Sequence, residues 1–162
     1  MPAAPSSVQD VQRSVLNDST ISTFGAICGA EPTLEGECGE CADGTTSVQG
    51  IIAVVGDVSW SLSLAFPPET AEAIAQKFAG FEIPYESADM ADVIGELANV
   101  MAGDVVARLD RKGLKVKMSL PNVARGESLH LNQPGASQTL KLRFKLPQGP
   151  MIVGMAVAKG GK

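Results

Sequence analysis

Apolar residues recur along this chain with two different periods, and the switches between them outline its elements. Val58, Trp60, Leu62, Leu64 and Phe66 alternate with Ser59, Ser61 and Ser63, the period of a strand with one buried face. Just before them, Gly50-Ile-Ile-Ala-Val-Val55 is continuously apolar, as in a strand covered on both faces. Gly56-Asp57 between the two runs predicts a two-residue hairpin turn. Further on, Leu114, Val116, Met118 and Leu120 alternate with Lys115, Lys117 and Ser119. Leu140, Leu142, Phe144 and Leu146 alternate in the same way with Lys141, Arg143 and Lys145. A turn at Pro121-Asn122, a weaker segment around Ser128 to Leu131, a turn at Pro147-Gln148-Gly149-Pro150 and a last strand from Met151 to Ala158 complete the set. Strands with one wet face belong to antiparallel sheets.

The other period is helical. Ile21, Phe24 and Cys28 recur at i, i+3, i+7, predicting a helix capped by Asn17, Asp18 or Ser19 and ending near Gly29. Pro67-Pro68-Glu69-Thr70 opens a second helix, proline being suited to the first turn. It turns Ala71, Ile74, Ala75 and Phe78 inward and stops at Gly80. Glu31 to Thr46, rich in Gly and Glu, reads as a loop. The fold class that follows is α+β, an antiparallel sheet with helices packed against it. It forms a single domain over residues 1–162, with Met1 to Ser7 as a frayed start.

The third helix, Asp89 to Asp104, organises the rest. At about 100° per residue, Met90, Val93, Ile94, Leu97 and Met101 make a core stripe, while Asp89, Asp92, Glu96, Asn99 and Gly103 face the other way. A flank of small residues, Ala91, Gly95, Ala98 and Ala102, lies between. Glycine inside a helix costs roughly 1 kcal/mol against alanine, so Gly95 and Gly103 predict that something approaches the backbone there. Glu96 and Asn99, one turn apart, can both reach a single external object.

Composition narrows the function. Hydrophobic content of 44% and charged content of 19% over 162 residues are globular values, with length enough for one core. A net charge of −5 argues against nucleic-acid binding, which needs a basic patch to neutralise phosphates. No apolar run reaches the 18 or so residues of a membrane span, and the N-terminus lacks a signal pattern. The expected location is the cytoplasm.

Competing chemistry is weaker. Cys38-Gly-Glu-Cys41, with Cys28 upstream, has the spacing of half a zinc site or a redox pair. The zinc reading lacks ligands, because the single histidine, His130, is far along the chain. The redox reading lacks a strand before and a helix after, and Glu37, Glu40 and Asp43 would raise the thiol pKa rather than lower it. An ordinary loop is the favoured reading, with a metal or intersubunit link and redox chemistry as the alternatives. His130 has no Ser or Cys nucleophile motif beside it and reads as a strand histidine. Lys115, Lys117, Lys141, Arg143 and Lys145 read as solvation and edge protection, with docking of an acidic partner as the alternative. No Gly-rich loop has phosphate-cradle spacing.

The longer context of Glu96 and Asn99 is informative. Asp92-Val-Ile-Gly-Glu-Leu-Ala-Asn-Val-Met-Ala-Gly103 closely resembles the signature helix of the CheX/CheC/FliY family of chemotaxis phosphatases. Ser119-Leu-Pro-Asn-Val-Ala-Arg-Gly126 is similar to the strand-and-turn segment that follows it in CheX, and Asn17 to Gly29 with Pro32 is similar to the family's opening helix. The resemblance spans roughly residues 16–158 and implies a CheC-like fold. One Glu-x-x-Asn helix is present, as in CheX, where CheC has two. The Cys-x-x-Cys loop is outside the family pattern.

The resemblance implies a phosphatase acting on the aspartyl phosphate of a CheY-like receiver domain. Asn99 would orient the attacking water, and Glu96 would pair with the receiver's active-site lysine. Asp89, Asp92, Gly95 and Gly103 would contribute to partner binding. No cofactor is expected on this chain, since Mg²⁺ belongs to the receiver, and a homodimer with two sites is expected. The rival from another class is a non-catalytic receiver-binding adaptor similar to the flagellar switch proteins.

Overall fold

In the computed structural model, which describes residues 8–37, 46–127 and 136–158, the long hairpin of the sequence becomes the middle of a sheet. Strand β2 (Thr46–Gly56) pairs with β3 (Ser59–Phe66), from Val48 against Phe66 to Val55 against Ser59. The reversal is made by Asp57 and Val58, one residue later than the sequence predicts, because Gly56 still pairs with Val116. Beyond β3 lie β7 (Gly149–Ala158), β6 (Ala136–Leu146) and β1 (Thr33–Glu37). On its other side β2 is flanked by two short strands end to end: β5 (Asn122–Glu127) along its first half and β4 (Val116–Met118) along its end. Among the described residues this is one seven-stranded sheet, antiparallel at every pairing, as the alternating pattern requires.

Three helices cover one face: α1 (Val8–Cys28), α2 (Pro68–Ala79) and α3 (Ala88–Arg111). The inward residues of the strands, among them Ile52, Val54, Trp60, Leu62, Leu64, Phe66, Leu142, Phe144 and Val153, form the core with Leu16, Phe24, Ile74 and the stripe of α3. Phe24 meets Phe66 with ring centroids 6.1 Å apart, a tilted aromatic pair. Helix α2 ends as expected at Gly80, whose left-handed backbone (φ 86°) lets its N–H reach the Gln76 carbonyl at 2.8 Å. Phe78, expected inside, is partly exposed.

Several expectations need correction. Helix α1 begins at Val8 rather than near Asn17, so Asn17, Asp18 and Ser19 sit mid-helix and cap nothing. Its inward face carries buried Gln12, Ser19, Thr20 and Thr23 beside Val15, Leu16 and Phe24, which interrupts the apolar period. The Thr20 hydroxyl is satisfied inside the helix, donating to the Leu16 carbonyl at 2.7 Å. The supposed loop of 31–46 contains β1, an edge strand paired with β6 and bulged between Leu34 and Gly36. The run 50–55 is covered on one face only, its alternate residues Ile51, Ala53 and Val55 being half-buried or exposed. Pro121-Asn122 leads straight into β5, and Leu120, expected inward, points away from the core. Cys38, Cys41, His130, residues 1–7 and the segment 128–131 lie outside the described residues.

Helix α3 seats directly on β2. A Cβ built on Gly50 would stand 3.1 Å from the Ile94 carbonyl oxygen and 3.2 Å from the Ala98 Cβ, so the bare glycine backbone sets how close helix and sheet come. The opposite holds at Gly95, where a Cβ would meet Pro121 Cγ at 3.5 Å and Val123 Cγ2 at 3.6 Å, ordinary contact distances. Paired substitutions separate the two. Gly50→Ala is expected to lower the unfolding free energy by about 1–3 kcal/mol through overpacking. Gly95→Ala is expected to raise it by roughly 0.5–1 kcal/mol through helix propensity. Urea unfolding of both variants checks the signs.

Candidate functional site

Helix α3 is held at both ends before it presents anything. At its start the Ser87 hydroxyl accepts the Met90 N–H at 3.1 Å and donates to the Pro84 carbonyl at 2.7 Å, a side-chain cap with its own anchor. Arg125 of β5 donates from Nη1 to the carbonyls of Tyr85 and Ser87, both at 3.0 Å. The Tyr85 N–H goes to Glu72 of α2 at 2.8 Å. Burial raises the Tyr85 phenol pKa, with Arg125 working against it, so the ring stays neutral at physiological pH. At the far end Gly113 turns left-handed (φ 84°), and Lys115, on the approach to β4, pairs with Asp110. Val105 and Leu109 extend the buried stripe beyond the predicted end at Asp104.

The outward face between these anchors carries the candidate residues. Asp89, Asp92 and Glu96 are exposed, and Asn99 and Gly103 are half-buried. Among the described residues no hydrogen bond or ion pair engages the side chains of Asp89, Asp92, Glu96 or Asn99. Asp104, further along, is occupied by Arg108 at 2.7 Å. A Cβ on Gly103 would meet nothing within 4 Å, so that part of the face is open. Gly95 is not open: it is buried beneath Pro121 and Val123. A neighbour of the kind its missing side chain predicts is present in this chain itself. Ala98 and Ala102 are likewise buried; the small flank is where the helix meets its own sheet.

The face is convex. Two hollows, of about 250 Å³ beside Gln12 and Thr139 and about 290 Å³ between Ser14 and Arg111, involve neither Glu96 nor Asn99. Among the described residues no group of three or more His, Cys, Asp or Glu is placed to hold a metal. Cys28 is buried, and burial raises its thiol pKa while Lys77 lowers it slightly, so it remains a protonated core side chain at neutral pH. No described helix is long and apolar enough to cross a membrane.

The model of the chemotaxis phosphatase CheX family matches residues 48–145, from β2 through α3 and into β6. The chain belongs to the chemotaxis phosphatase CheX family. Solved structures carry the same fold over nearly the whole chain. A CheC-like superfamily protein from Shewanella sp. PV-4 is 21% identical, with 90% of this chain and 96% of that one covered at a TM-score of 0.78. CheX from Desulfovibrio desulfuricans is 20% identical, with 89% and 97% covered at 0.76. The Borrelia burgdorferi CheX, solved as a complex with CheY, BeF3 and Mg²⁺, is 21% identical, with 91% and 97% covered at 0.74. No curated protein sequence matches the chain. The CheC-like α+β fold is the one the sequence predicts.

Two contributors escaped the sequence reading. Arg125 is an ordinary-looking strand arginine whose two carbonyl partners are some 40 residues away in the chain, a distance no local pattern spans. Leu120 fitted an inward alternation; the pairing shows residues 119–121 opposite only Ile52 and Ala53, a one-residue slip that carries Leu120 off the inward register.

Proposed function

We propose that this CheX-family protein hydrolyses the aspartyl phosphate of a CheY-like receiver domain, with Glu96 and Asn99 as the pair that enters the receiver's site. The supporting observation is their placement: one turn apart on the outward face of a helix pinned at both ends, their side chains unbonded among the described residues, in a chain of a phosphatase family. The chemistry suits the residue types. Water attacks the phosphorus in line, the bond from phosphorus to the aspartyl oxygen breaks, the carboxylate leaves and the water's proton ends on inorganic phosphate. Such a reaction needs positioning and charge stabilisation more than covalent help. The Asn99 carboxamide both donates and accepts, so it holds the water without adding negative charge. Glu96 faces the receiver's lysine, where it gains a charge-assisted bond, and Asp89 and Asp92 extend the acidic stripe. Gly103 leaves room for the receiver's loops.

The receiver brings its own Mg²⁺, and this chain is assigned no cofactor. The reading places the protein in the cytoplasm with its partner. It also makes the protein a homodimer with two sites, the outer edges of the described sheet being one means of pairing; light scattering at micromolar concentration should show twice the chain mass. The deciding experiment phosphorylates a receiver and follows its decay with and without this protein. Faster decay selects the phosphatase. Unchanged decay with measurable binding selects the adaptor.

A further inference from the structure

Leu120 is the most exposed large apolar side chain among the described residues, at 84%. A lone surface leucine needs no explanation, but this one is held rather than loose. On one side Ser119 replaces a rung of the sheet: its N–H donates to the Ala53 carbonyl at 2.8 Å and its hydroxyl oxygen accepts the Ala53 N–H at 3.0 Å. The same hydroxyl donates to the Leu120 carbonyl at 2.9 Å. On the other side Pro121 is seated against Gly95 of α3. The leucine stands between two fixed points with its side chain in water.

Its position along α3 follows from the anchors. Arg125 of β5 lies at the start of the helix and Lys115 at its end, so α3 runs against the direction of the 115–125 segment. Gly95 lies under Pro121 and Val123. Asn99 is four residues further, on the same side of the helix and about 6 Å along, the span of about two strand residues. That displacement leads from Pro121 and Val123 back to the stretch of Ser119 and Leu120. Leu120 therefore flanks Asn99 on the side of Gly95, with exposed Met118 two residues before it in the chain. The outward face is acidic through Asp89, Asp92 and Glu96 and apolar along this side, the mixture of a docking surface with a dry centre and a charged rim.

We infer that Leu120 is a contact residue for the receiver domain, an apolar anchor that sets affinity beside the Glu96/Asn99 pair. The inference rests on the receiver as partner. It adds that recognition uses the connection between β4 and β5 as well as the helix, and that the receiver presents an apolar patch next to its lysine. A preformed knob loses little freedom on binding, and burying one leucine is enough to change affinity tenfold or more.

The test uses the full chain with Leu120→Asp, Leu120→Ala and Leu120→Met. Asp is expected to raise KM for the phosphorylated receiver by about tenfold or more, Ala by less, and Met to restore it. Titration with the beryllofluoride-loaded receiver should weaken by the same factors, and the urea midpoint should stay put because the side chain is already in water. Wild-type KM and binding in Leu120→Asp would overturn the inference. Should the unmodified protein leave receiver decay unchanged, the phosphatase reading fails by itself and titration decides: weaker binding by Leu120→Asp upholds the contact, and equal binding, or none by either protein, overturns it.

Discussion

Asn99→Ala is expected to return the decay of a phosphorylated receiver to its own unassisted rate while leaving receiver binding nearly intact. The substitution removes the one group on the outward face of α3 that both donates and accepts a hydrogen bond without carrying charge. Removing a single positioned hydrogen-bonding group from a transition state costs on the order of a hundredfold or more in rate. The change should leave the fold alone, since Asn99 is half-buried at the surface and no described residue bonds to its side chain. The measurement is phosphate release at saturating protein, with titration of the beryllofluoride-loaded receiver as the binding control. Wild-type release by Asn99→Ala would remove the water-positioning role and shift weight to the adaptor reading.

Glu96→Lys is expected to fail earlier, at binding. The carboxylate is exposed and one turn from Asn99, so a lysine there meets the receiver's lysine with like charge. Replacing an attractive contact by a repulsive one should weaken association by roughly 10–100-fold. Glu96→Ala should show a smaller loss, because it removes attraction without adding repulsion. Raising the salt concentration should narrow the gap between Glu96→Lys and Glu96→Ala, since screening weakens repulsion between partly exposed charges. Equal affinity of all three proteins at low salt would mean that Glu96 does not face a cation in the complex.

The sequence made some of this legible and hid the rest for physical reasons. The central strands and the buried stripe of α3 were plain because one side of each meets water and the other meets the core, which writes the period into the residues. Helix α1 was half hidden because Thr20 and Thr23 face the core, where a hydroxyl can satisfy itself on the helix's own carbonyls. Strand β1 was invisible because Thr33–Glu37 lies at an edge with little buried, and an edge needs no apolar alternation. Glycine signalled close approach without saying whose. At Gly95 the neighbour proved to be Pro121 of the same chain, while at Gly103 the space stands empty. Gly50, the tightest of these contacts, drew no notice in a run of apolar residues. That Glu96 and Asn99 share a face follows from helical spacing alone; that Leu120 stands beside them needed the register of three elements.

The rung made by Ser119 has a consequence for how this protein could be altered. Because the serine ties the connection between β4 and β5 to Ala53 with its own backbone and hydroxyl, that tie holds whatever side chain follows it. Position 120 is thus a tolerant socket beside the reactive pair, and a small library there, screened against several receivers, is a direct route to redirecting the protein from one signalling circuit to another.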